Sequence, residues 1–572
     1  MILQALKEYY DRKAADLDSG IAPLGWERKE IPYLIVLRED GSLVRVEDTQ
    51  ESVGKKKRAK AFLVPQSVKR TVGVASNLLW DNVEYATGMV CKGRPERVAE
   101  QHAAFVERLA ALADCQSVRP VVAFLSKPDF QKQLAEQVTW KDAMDVCAFV
   151  TFGLLGQSKP IFNAPDVEEH VNASSRLRSA VTDKICLVSG EREPIAKLHP
   201  AIKGVQGTNT SGGNIVSFNF PASCSFGKEQ GENARVGELS AFKYTTALNA
   251  LLLKDSRQKM SVGDATVVFW SEMKTELEDE FVDLFGEPTK DDPDKGVAAV
   301  ERLLSFVRSG SFSHELDTTR FYVLGLAPNS ARISVRFWHA GTVAEMEGRF
   351  ADWFENLRIV HKPNEKEHLS LSTLLLSITR FNKDKQKWKE NIPPNLAGAV
   401  MRSILEGSLY PATLLSSAIQ RIRAEHEVSY PRAKLIKAFL NHNKERKLTV
   451  SLDKENTNVG YRLGRLFAVL EKIQIAAINP SATIRDKFYA SASATPASVF
   501  GNLMRLAGHH LSKLDSDKKG LRIWFEKQIE EIMSGIDAFP SHMPLENQGM
   551  FAIGYYHQRI AKNDDAAAPT VL

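Results

Sequence analysis

The last third of the chain is a succession of segments in which apolar residues recur at helical spacing. From about Leu369 onward, eight such segments follow one another, with prolines near their starts or ends, and this period is typical of helices that bury one face. The segments are Leu369–Arg380, Ala397–Glu406, Leu414–His426, Pro431–Asn441, Gly460–Ala477, Ala497–Leu511, Lys518–Phe539 and Asn547–Ala561. The pattern predicts an all-α helical bundle over residues 366–572.

The first two thirds of the chain mix strand and helix patterns. Asp40-Gly41 is a hairpin signal between the apolar runs Ile31–Leu37 and Leu43–Val46. Further predicted strands are Val121–Leu125, Val267–Trp270, Phe321–Leu326 and Ile333–Trp338, and predicted helices are Met1–Ala15, Pro95–Leu112 and Met346–Asn356. We therefore predict an α+β fold, in which a mixed α/β N-terminal region over residues 1–365 joins the bundle near the polar linker Lys362–Glu367. A chain of 572 residues also exceeds what one core usually supports.

The cysteines and the apolar runs predict the compartment. Five cysteines lie far apart without a C-x-x-C pair, which favours free thiols in a reducing compartment over a zinc knuckle or a disulfide framework. Charged residues interrupt the apolar positions near the N-terminus, unlike the apolar region of a signal peptide, and no apolar run approaches the ~20 residues that span a bilayer. We expect a cytoplasmic protein with no membrane contact, no metal and no cofactor.

Glycines and short polar residues fill the segment between Lys203 and Asn214. It reads K-G-V-Q-G-T-N-T-S-G-G-N, with apolar runs on both sides. Glycine permits close backbone approach, while amide and hydroxyl side chains offer hydrogen-bond donors and acceptors. Gly207 and Gly212 have the spacing of a phosphate-binding P-loop, but Gly213 and Asn214 replace the Lys and Ser/Thr that it requires. Two interpretations stay open, a long structural loop and a loop that binds a ligand.

Cationic residues crowd the segment from residue 55 to residue 70, called here the basic segment. Lysine and arginine neutralise phosphates by releasing counterions, so this density favours nucleic-acid binding although the net charge is only +5. Its members are Lys55, Lys56, Lys57, Arg58, Lys60, Lys69 and Arg70. Asn77, farther along, has the donor and acceptor that a base edge requires, whereas Trp80 is expected in the core. The alternative for the run of lysines is a solvated hairpin loop without a ligand.

Catalytic signatures are missing or incomplete. His426-Glu427 lacks the second histidine of a zinc-protease motif, and the chain has no G-x-S-x-G nucleophile elbow. Asp279, Glu280 and Asp283 have ligand groups that suit a cation, but a solvated acidic face is the simpler interpretation. We expect no enzymatic activity and keep a metal-dependent nuclease as the alternative.

Five long blocks of the sequence resemble one known family. They are M-I-L-Q-A-L-K-E-Y-Y-D-R (Met1–Arg12), G-K-K-K-R-A-K-A-F-L-V-P-Q-S-V-K-R-T (Gly54–Thr71), N-L-L-W-D-N-V-E-Y (Asn77–Tyr85), the stretch from G-V-Q-G to V-S-F-N (Gly204–Asn219) and N-S-A-R-I-S-V-R-F-W (Asn329–Trp338). In these blocks and in their order, the chain resembles the large subunit of the type I-C CRISPR surveillance complex, Cascade. None of the blocks is a catalytic signature.

The resemblance implies a non-catalytic role in an RNA-guided complex. CRISPR RNA reads the target by base pairing, and the protein reads a short adjacent motif, the PAM, on the duplex. The family's large subunit is expected to recognise the PAM, to aid R-loop formation, to hold the displaced strand and to recruit the helicase–nuclease. The implied partners are CRISPR RNA, target double-stranded DNA, the Cascade backbone and small subunits, and the CRISPR helicase–nuclease.

Three groups of residues are expected to contact nucleic acid. The group expected near the PAM is Asn77, Gln206, Thr208, Asn209 and Ser211, and the group expected on phosphates is the basic segment. The group expected on the displaced strand is Arg465, Arg505, Lys513 and Arg522, for which a solvated helix face is an equal alternative. These four lie in residues 450–572, a segment that the resemblance implies is also made separately as the small subunit, and we expect its internal start at or near Val450.

Overall fold

The computed structural model describes residues 1–53, 56–68, 70, 73–177, 184–218, 220–287, 292, 294–309, 318–330, 332–393, 395–514 and 518–561. The chain divides into two units by packing. The first unit comprises residues 1–204 and 209–250, and the second comprises residues 205–208 and 251–572. The divisions predicted at residues 366 and 450 stay predictions.

The first unit contains both strands and helices. Its strands are β1 (Trp26–Glu30), β2 (Tyr33–Leu37), β3 (Leu43–Asp48), β4 (Gln50–Val53), β5 (Lys56–Ala59), β6 (Ala61–Pro65), β7 (Trp80–Asn82) and β8 (Phe149–Leu154). Its helices are α1 (Ile2–Ala14), α2 (Val83–Thr87), α3 (Pro95–Ala110), α4 (Arg119–Leu125), α5 (Phe130–Ala135), α6 (Trp140–Val146), α7 (Pro165–Leu177) and α8 (Glu238–Leu251).

The second unit begins with strands and continues with helices. Its strands are β9 (Lys259–Val262), β10 (Ala265–Ser271), β11 (Arg320–Asn329) and β12 (Arg332–Thr342). Its helices are α9 (Glu276–Phe285), α10 (Lys295–Ser309), α11 (Val343–Leu357), α12 (Leu371–Ser377), α13 (Lys385–Glu390), α14 (Leu396–Glu406), α15 (Ala412–Glu425), α16 (Tyr430–Lys444), α17 (Val459–Ile478), α18 (Ile484–Ala494), α19 (Phe500–Ser512), α20 (Lys519–Met533) and α21 (Leu545–Ile560). The α+β class is therefore confirmed.

A mixed sheet with the order β3-β2-β8-β7 forms the centre of the first unit. β2 runs parallel to β8, with Ile35 opposite Phe152. β3 pairs with β2, and β7 pairs with β8, both in the antiparallel sense. The predicted hairpin is confirmed, since the Ser42 N–H donates to the Asp40 carboxylate at 2.8 Å in the turn between β2 and β3. Two separate ribbons, β1–β6 and β4–β5, are also antiparallel among the described residues.

One strand prediction in this unit is wrong. Val121–Leu125 forms the helix α4, which begins with Pro120 in its first turn. Val121 and Phe124 are buried and Val122 is exposed, so burial recurs at a spacing of three residues rather than two. A short apolar run with β-branched residues fits both periods, and the proline at the helix start is the signal that favours the helix.

The second unit has a sheet with the order β12-β11-β10-β9, and every described neighbour in it is antiparallel. All residues of β10 are buried. α11 follows β12 directly and begins with a capping box between Thr342 and Glu345, which satisfies helix N–H groups that would otherwise lack partners. One apolar core extends from Val267 of this sheet to Tyr555 of α21.

The helical pattern predicted after residue 369 is confirmed, although α13 and α18 were not predicted. Two lysines of this region serve the core. Lys434 and Lys437 of α16 are buried and donate to the last carbonyl groups of α11, at Leu357 and Asn356, over 3.4 and 3.3 Å. Burial lowers the pKa of both ammonium groups to about 8. The two ammonium groups therefore lie at the C-terminus of α11, where positive charge is favourable.

α17 and α21 approach each other closely. A Cβ at Gly464 of α17 would lie 2.0 Å from the carbonyl oxygen of Phe551, and a Cβ at Gly554 of α21 would lie 2.0 Å from that of Tyr461. Only residues without a side chain permit this backbone contact. In the part of the chain that the structure describes, no helix combines the length and the apolar character needed to cross a bilayer.

Candidate nucleic-acid interface

A buried carboxylate organises the chain next to the basic segment. Asp81, on β7, is fully buried and accepts hydrogen bonds from the backbone N–H groups of Asn77 at 2.9 Å and Asn82 at 2.8 Å. The carboxylate also forms an ion pair with Arg70. A buried charge is tolerated only with such partners, and burial raises the pKa of the Asp81 carboxyl in spite of Arg70. This network fixes the position of Arg70 in the first unit.

Arg70 and Asn77 each make a second contact that orders this segment. The Arg70 guanidinium donates to the carbonyl oxygen of Ala75 at 2.6 Å and lies 3.9 Å from the ring centroid of Tyr85, a cation–π contact. Asn77 is only 4% exposed, and its Oδ1 accepts from the Val68 N–H at 3.0 Å. The base contact of Asn77 stays a prediction, and it requires this side chain to leave Val68.

Lys29, on β1, brings a further positive charge to the same region. Its Nζ lies 3.6 Å from the ring centroid of Phe149. Burial, followed by repulsion from Lys203, lowers the pKa of Lys29 to about 8, and Arg70 acts in the same direction. Lys203 and Arg70 of the first unit are therefore both close enough to repel the ammonium group of Lys29. A bound phosphate would relieve this repulsion, because a nearby anion favours the protonated ammonium group.

The segment from residue 203 to residue 214, called here the glycine-rich loop, is closed at its base in the first unit. Ile202 and Gly213 exchange backbone hydrogen bonds of 2.8 and 2.9 Å. Gly212 has a φ of +86° and approaches the Ile202 carbonyl so closely that a Cβ would lie 2.5 Å from its oxygen. Asn209 and Ser211 lie between these anchors and are exposed, as a loop that binds a ligand requires.

Residues 205–208 of the loop belong to the second unit. The Gln206 N–H donates to Thr266 Oγ1 at 3.0 Å, and Thr208 Oγ1 donates to the Val205 carbonyl oxygen at 2.8 Å. Thr208 is half-buried, while Gln206 is exposed, with Ser261 Oγ 3.5 Å from its side-chain oxygen. The backbone is thus anchored and the amide group of Gln206 remains accessible to a ligand.

The middle of the basic segment forms the strand β5 of an antiparallel ribbon with β4. Lys57, Arg58 and Lys60 are exposed. Lys57 lies 3.8 Å from the Asp48 carboxylate, and Arg58 lies 3.1 Å from that of Glu30, so each is an exposed pair of the kind that contributes little to stability. Lys55 and Lys69 lie outside the described residues, and only the backbone of Lys56 is described.

The four cations predicted for the displaced strand differ in accessibility. Arg465 is fully buried; it donates to Gln558 Oε1 at 3.0 Å and pairs with Glu531 at 2.6 Å. It therefore serves the packing of α17, and we do not carry it into a binding surface. The other three side chains are exposed, and they are Arg505, Lys513 and Arg522.

The acidic residues weighed for a nuclease lie on α9, where two of them are paired. Glu280 pairs with Arg302 at 2.6 Å, and Asp283 pairs with Lys295 at 2.8 Å. These two pairs agree with the interpretation as an acidic face of α9, and the nuclease stays an alternative.

Comparison with known proteins assigns the chain to a family. The family described as "CRISPR-associated protein (Cas_Csd1)" matches residues 6–562. The chain belongs to the Cas_Csd1 family. No curated protein matches the chain.

Membership of Cas_Csd1 makes the chain a CRISPR-associated protein and supports, in general terms, a large subunit of the Cascade kind. The match covers both units, so both the cations of the first unit and the helices of the second unit lie within the region that the family model describes.

Three candidate residues of this Cas_Csd1 protein were not predicted from its sequence. Lys29 and Lys203 are single lysines in their segments, and only the fold brings Lys29 near Lys203 and Arg70. Phe226 is 97% exposed and has a φ of +52°, an unusual backbone for a bulky residue. The signal for Phe226 was available in part, since an aromatic residue before Gly227 in a polar stretch indicates an exposed turn.

Proposed function

We propose that this protein is the non-catalytic large subunit of a type I-C Cascade complex and acts in the cytoplasm. In this role it recognises the PAM in double-stranded DNA, aids R-loop formation, holds the displaced strand and recruits the helicase–nuclease. Family membership supports the general role, and the five sequence blocks named above support the subtype. CRISPR RNA, target DNA and the backbone and small subunits are its partners in the proposal.

The cluster of Lys29, Arg70 and Lys203 is the observation that carries the DNA-binding part of the proposal. Lys203 and Arg70 both act on Lys29, and Lys203 is exposed at the start of the glycine-rich loop. Glu27 and Asp81 offset part of the repulsion on Lys29, and an anion bound beside this lysine would offset more of it. A DNA phosphate is the anion that this cluster fits best in a CRISPR-associated protein.

Binding of target duplex to the assembled complex tests this role. Lys203→Ala and Lys29→Ala should each weaken binding to all duplexes alike and lower the slope of log K against log salt by ~0.9 for each phosphate that is no longer neutralised. Lys132→Ala is the matched control, because Lys132 is an exposed lysine of α5, remote in sequence from the cluster. Unchanged slopes in both variants would show that the cluster does not touch phosphate.

Gln206 is the residue of the glycine-rich loop that we propose for reading the PAM. An amide offers a donor and an acceptor to a base edge, and its exposure leaves both available. Gln206→Ala should cost ~1–3 kcal/mol in binding to a PAM-containing duplex and should leave binding to a duplex without a PAM nearly unchanged. Equal weakening on both duplexes would assign the loop a structural role.

The last helices are proposed to contact the displaced strand and to exist also as a separate small subunit. Arg505, Lys513 and Arg522 supply exposed cations for the strand. The chain Val450–Leu572 would have α17 and α21 as its central helices, with their close contact intact. Mass spectrometry after expression of the intact gene should detect a chain that starts at or near Val450. Silent recoding around that codon should abolish it, and its persistence would exclude this start.

The proposal includes no catalytic step, and a metal-dependent nuclease is the competing function. Incubation of the purified chain with labelled DNA or RNA and Mg²⁺ or Mn²⁺ should yield no cleavage above a metal-free sample. Cleavage that Asp279→Ala abolishes, while the fold is retained, would replace the scaffold role with the nuclease.

A further inference from the structure

Three potential metal ligands from separate parts of the first unit lie close together. Glu84 lies on α2, Cys91 lies on the loop that follows α2, and Cys147 terminates α6. A carboxylate oxygen of Glu84 and the two Sγ atoms all lie within 4.8 Å of one another. Glu84 is buried and both cysteines are half-buried. A small ion can therefore reach the cluster without unfolding of the unit.

The loop after α2 is folded onto Glu84. Glu84 Oε1 accepts hydrogen bonds from the backbone N–H groups of Cys91, Lys92 and Gly93 at 3.1, 2.7 and 2.6 Å. Three donors on one oxygen hold the carboxylate and Cys91 in a fixed relation. They leave the other carboxylate oxygen for a further ligand interaction, and such second contacts are what orient a metal ligand.

Cys147 occupies a backbone position that cysteine rarely adopts. Its φ and ψ are +53° and +54°, the left-handed conformation that usually selects glycine or asparagine at a helix C-terminus. The left-handed conformation does not favour cysteine, because a Cβ in this conformation carries a steric cost. A sulfur held at such a position indicates that the side chain has a role beyond packing.

A fourth soft donor lies next to the cluster. Met144, on α6, has its Sδ 3.8 Å from Cys91 Sγ. Tetrahedral Zn²⁺ binds sulfur at ~2.3 Å and carboxylate oxygen at ~2.0–2.2 Å, which places the ligand atoms of such a site roughly 3.5–3.8 Å apart. The three candidate atoms need to move by only about 1 Å to reach this spacing. Sulfur donors exclude Mg²⁺ and Ca²⁺, and the carboxylate favours Zn²⁺ over Cu(I).

We propose that Glu84, Cys91 and Cys147 bind one Zn²⁺ ion, with Met144 Sδ or a water molecule as the fourth ligand. The ion would join α2, the loop after it and α6. α2 follows Asp81 and Asn82 without a break, so the site would stiffen the segment that holds Arg70. The sequence gives no sign of such a site, because its two cysteines are distant and belong to no C-x-x-C pair.

Cobalt spectroscopy of the reduced, metal-stripped full-length chain tests the proposal. One equivalent of Co²⁺ should produce a thiolate-to-cobalt charge-transfer band and the visible bands of a tetrahedral ion, and Zn²⁺ should abolish both. Zn²⁺ should also raise the melting temperature of the chain. Cys91→Ser should reduce the affinity for Co²⁺ by at least ~10-fold, as loss of a metal ligand does.

Two variants separate metal binding from folding. Cys147→Gly removes the sulfur at a position whose backbone favours glycine, so it should fold with a normal circular dichroism spectrum and bind no Co²⁺ at this site. Cys224→Ser is the matched control, because Cys224 is exposed and lies outside the cluster, and it should bind as the unmodified chain does. A reduced chain that shows no thiolate-to-cobalt band, or a band that persists in Cys147→Gly, would overturn the proposal.

Discussion

The ionisation of Lys29 gives the candidate interface a defined pH dependence. Burial and the nearby Lys203 lower the pKa of Lys29 to about 8, with Arg70 acting in the same direction and Glu27 and Asp81 opposing it. A DNA phosphate bound beside Lys29 would favour its protonated ammonium group and raise the pKa of Lys29 towards the ordinary value of 10.5. Binding then takes up a proton, and affinity falls as the pH rises through 8.

The size of the effect follows from the two pKa values. With a pKa of about 8 in the free protein and at most 10.5 in the complex, the affinity should fall by up to ~10-fold between pH ~7 and pH ~9. Stability of the free protein should change in the opposite direction. Because the unfolded chain binds more protons than the folded one above pH ~8, the contribution of Lys29 to the free energy of unfolding rises with pH.

Fluorescence anisotropy of labelled duplex with the assembled complex, at constant salt, measures this dependence. Lys29→Arg is the decisive variant, because an arginine stays charged over the whole range, and its affinity should be flat where that of the unmodified protein falls. Lys132→Ala should keep the unmodified profile. A Lys29→Arg profile that falls as steeply as the unmodified one would refute the assignment of the proton to Lys29.

Three further changes test other parts of the structure. Gly464→Ala inserts a Cβ 2.0 Å from a carbonyl oxygen and should destabilise the second unit by ~1–3 kcal/mol in thermal unfolding. The control Gly508→Ala places a Cβ in open space on α19 and should be neutral or stabilising. Equal effects of the two changes would contradict the close contact between α17 and α21. The ring of Phe226 is almost fully exposed, and such a ring can stack on an unpaired base. Phe226→Ala should therefore weaken opening of a 2-aminopurine-labelled duplex by the ~1–3 kcal/mol that one stacked base contributes, whereas Phe226→Trp should retain opening; no difference between the two variants would exclude stacking. Lys57→Ala combined with Lys60→Ala should lower the salt slope by ~1–2, and a normal slope would leave the basic segment merely solvated.

The fold was largely predictable because apolar residues in the long segments recur at a clear helical or strand spacing. The helices after residue 369 and the strands β10, β11 and β12 agree with the predicted positions, since each buries one face or both. Val121–Leu125 was mistaken for a strand because a run of five apolar residues does not distinguish the two periods. α18 (Ile484–Ala494) was missed because its serines and alanines give a weak apolar stripe.

The site was less predictable, because it depends on contacts between distant segments. The exposure of Gln206, Asn209 and Ser211 agrees with the polar pattern of the glycine-rich loop. No local pattern distinguishes Arg465, buried against Glu531, from the exposed Arg505 on α19. The approach of Lys29 to Lys203 likewise follows from the tertiary fold, as hydrophobic patterning specifies faces and not the pairing of charges.

PAM recognition by this subunit is the central claim, and one ratio tests it most directly. The dissociation constant of the guide-loaded complex is measured on duplexes that differ only in the sequence next to the target, first with this chain present and then with the complex assembled without it. The account predicts a large preference for one adjacent sequence when the chain is present, and a preference close to unity when it is absent or carries Gln206→Ala. A preference that survives removal of the chain would contradict the claim, because another component would then read the PAM.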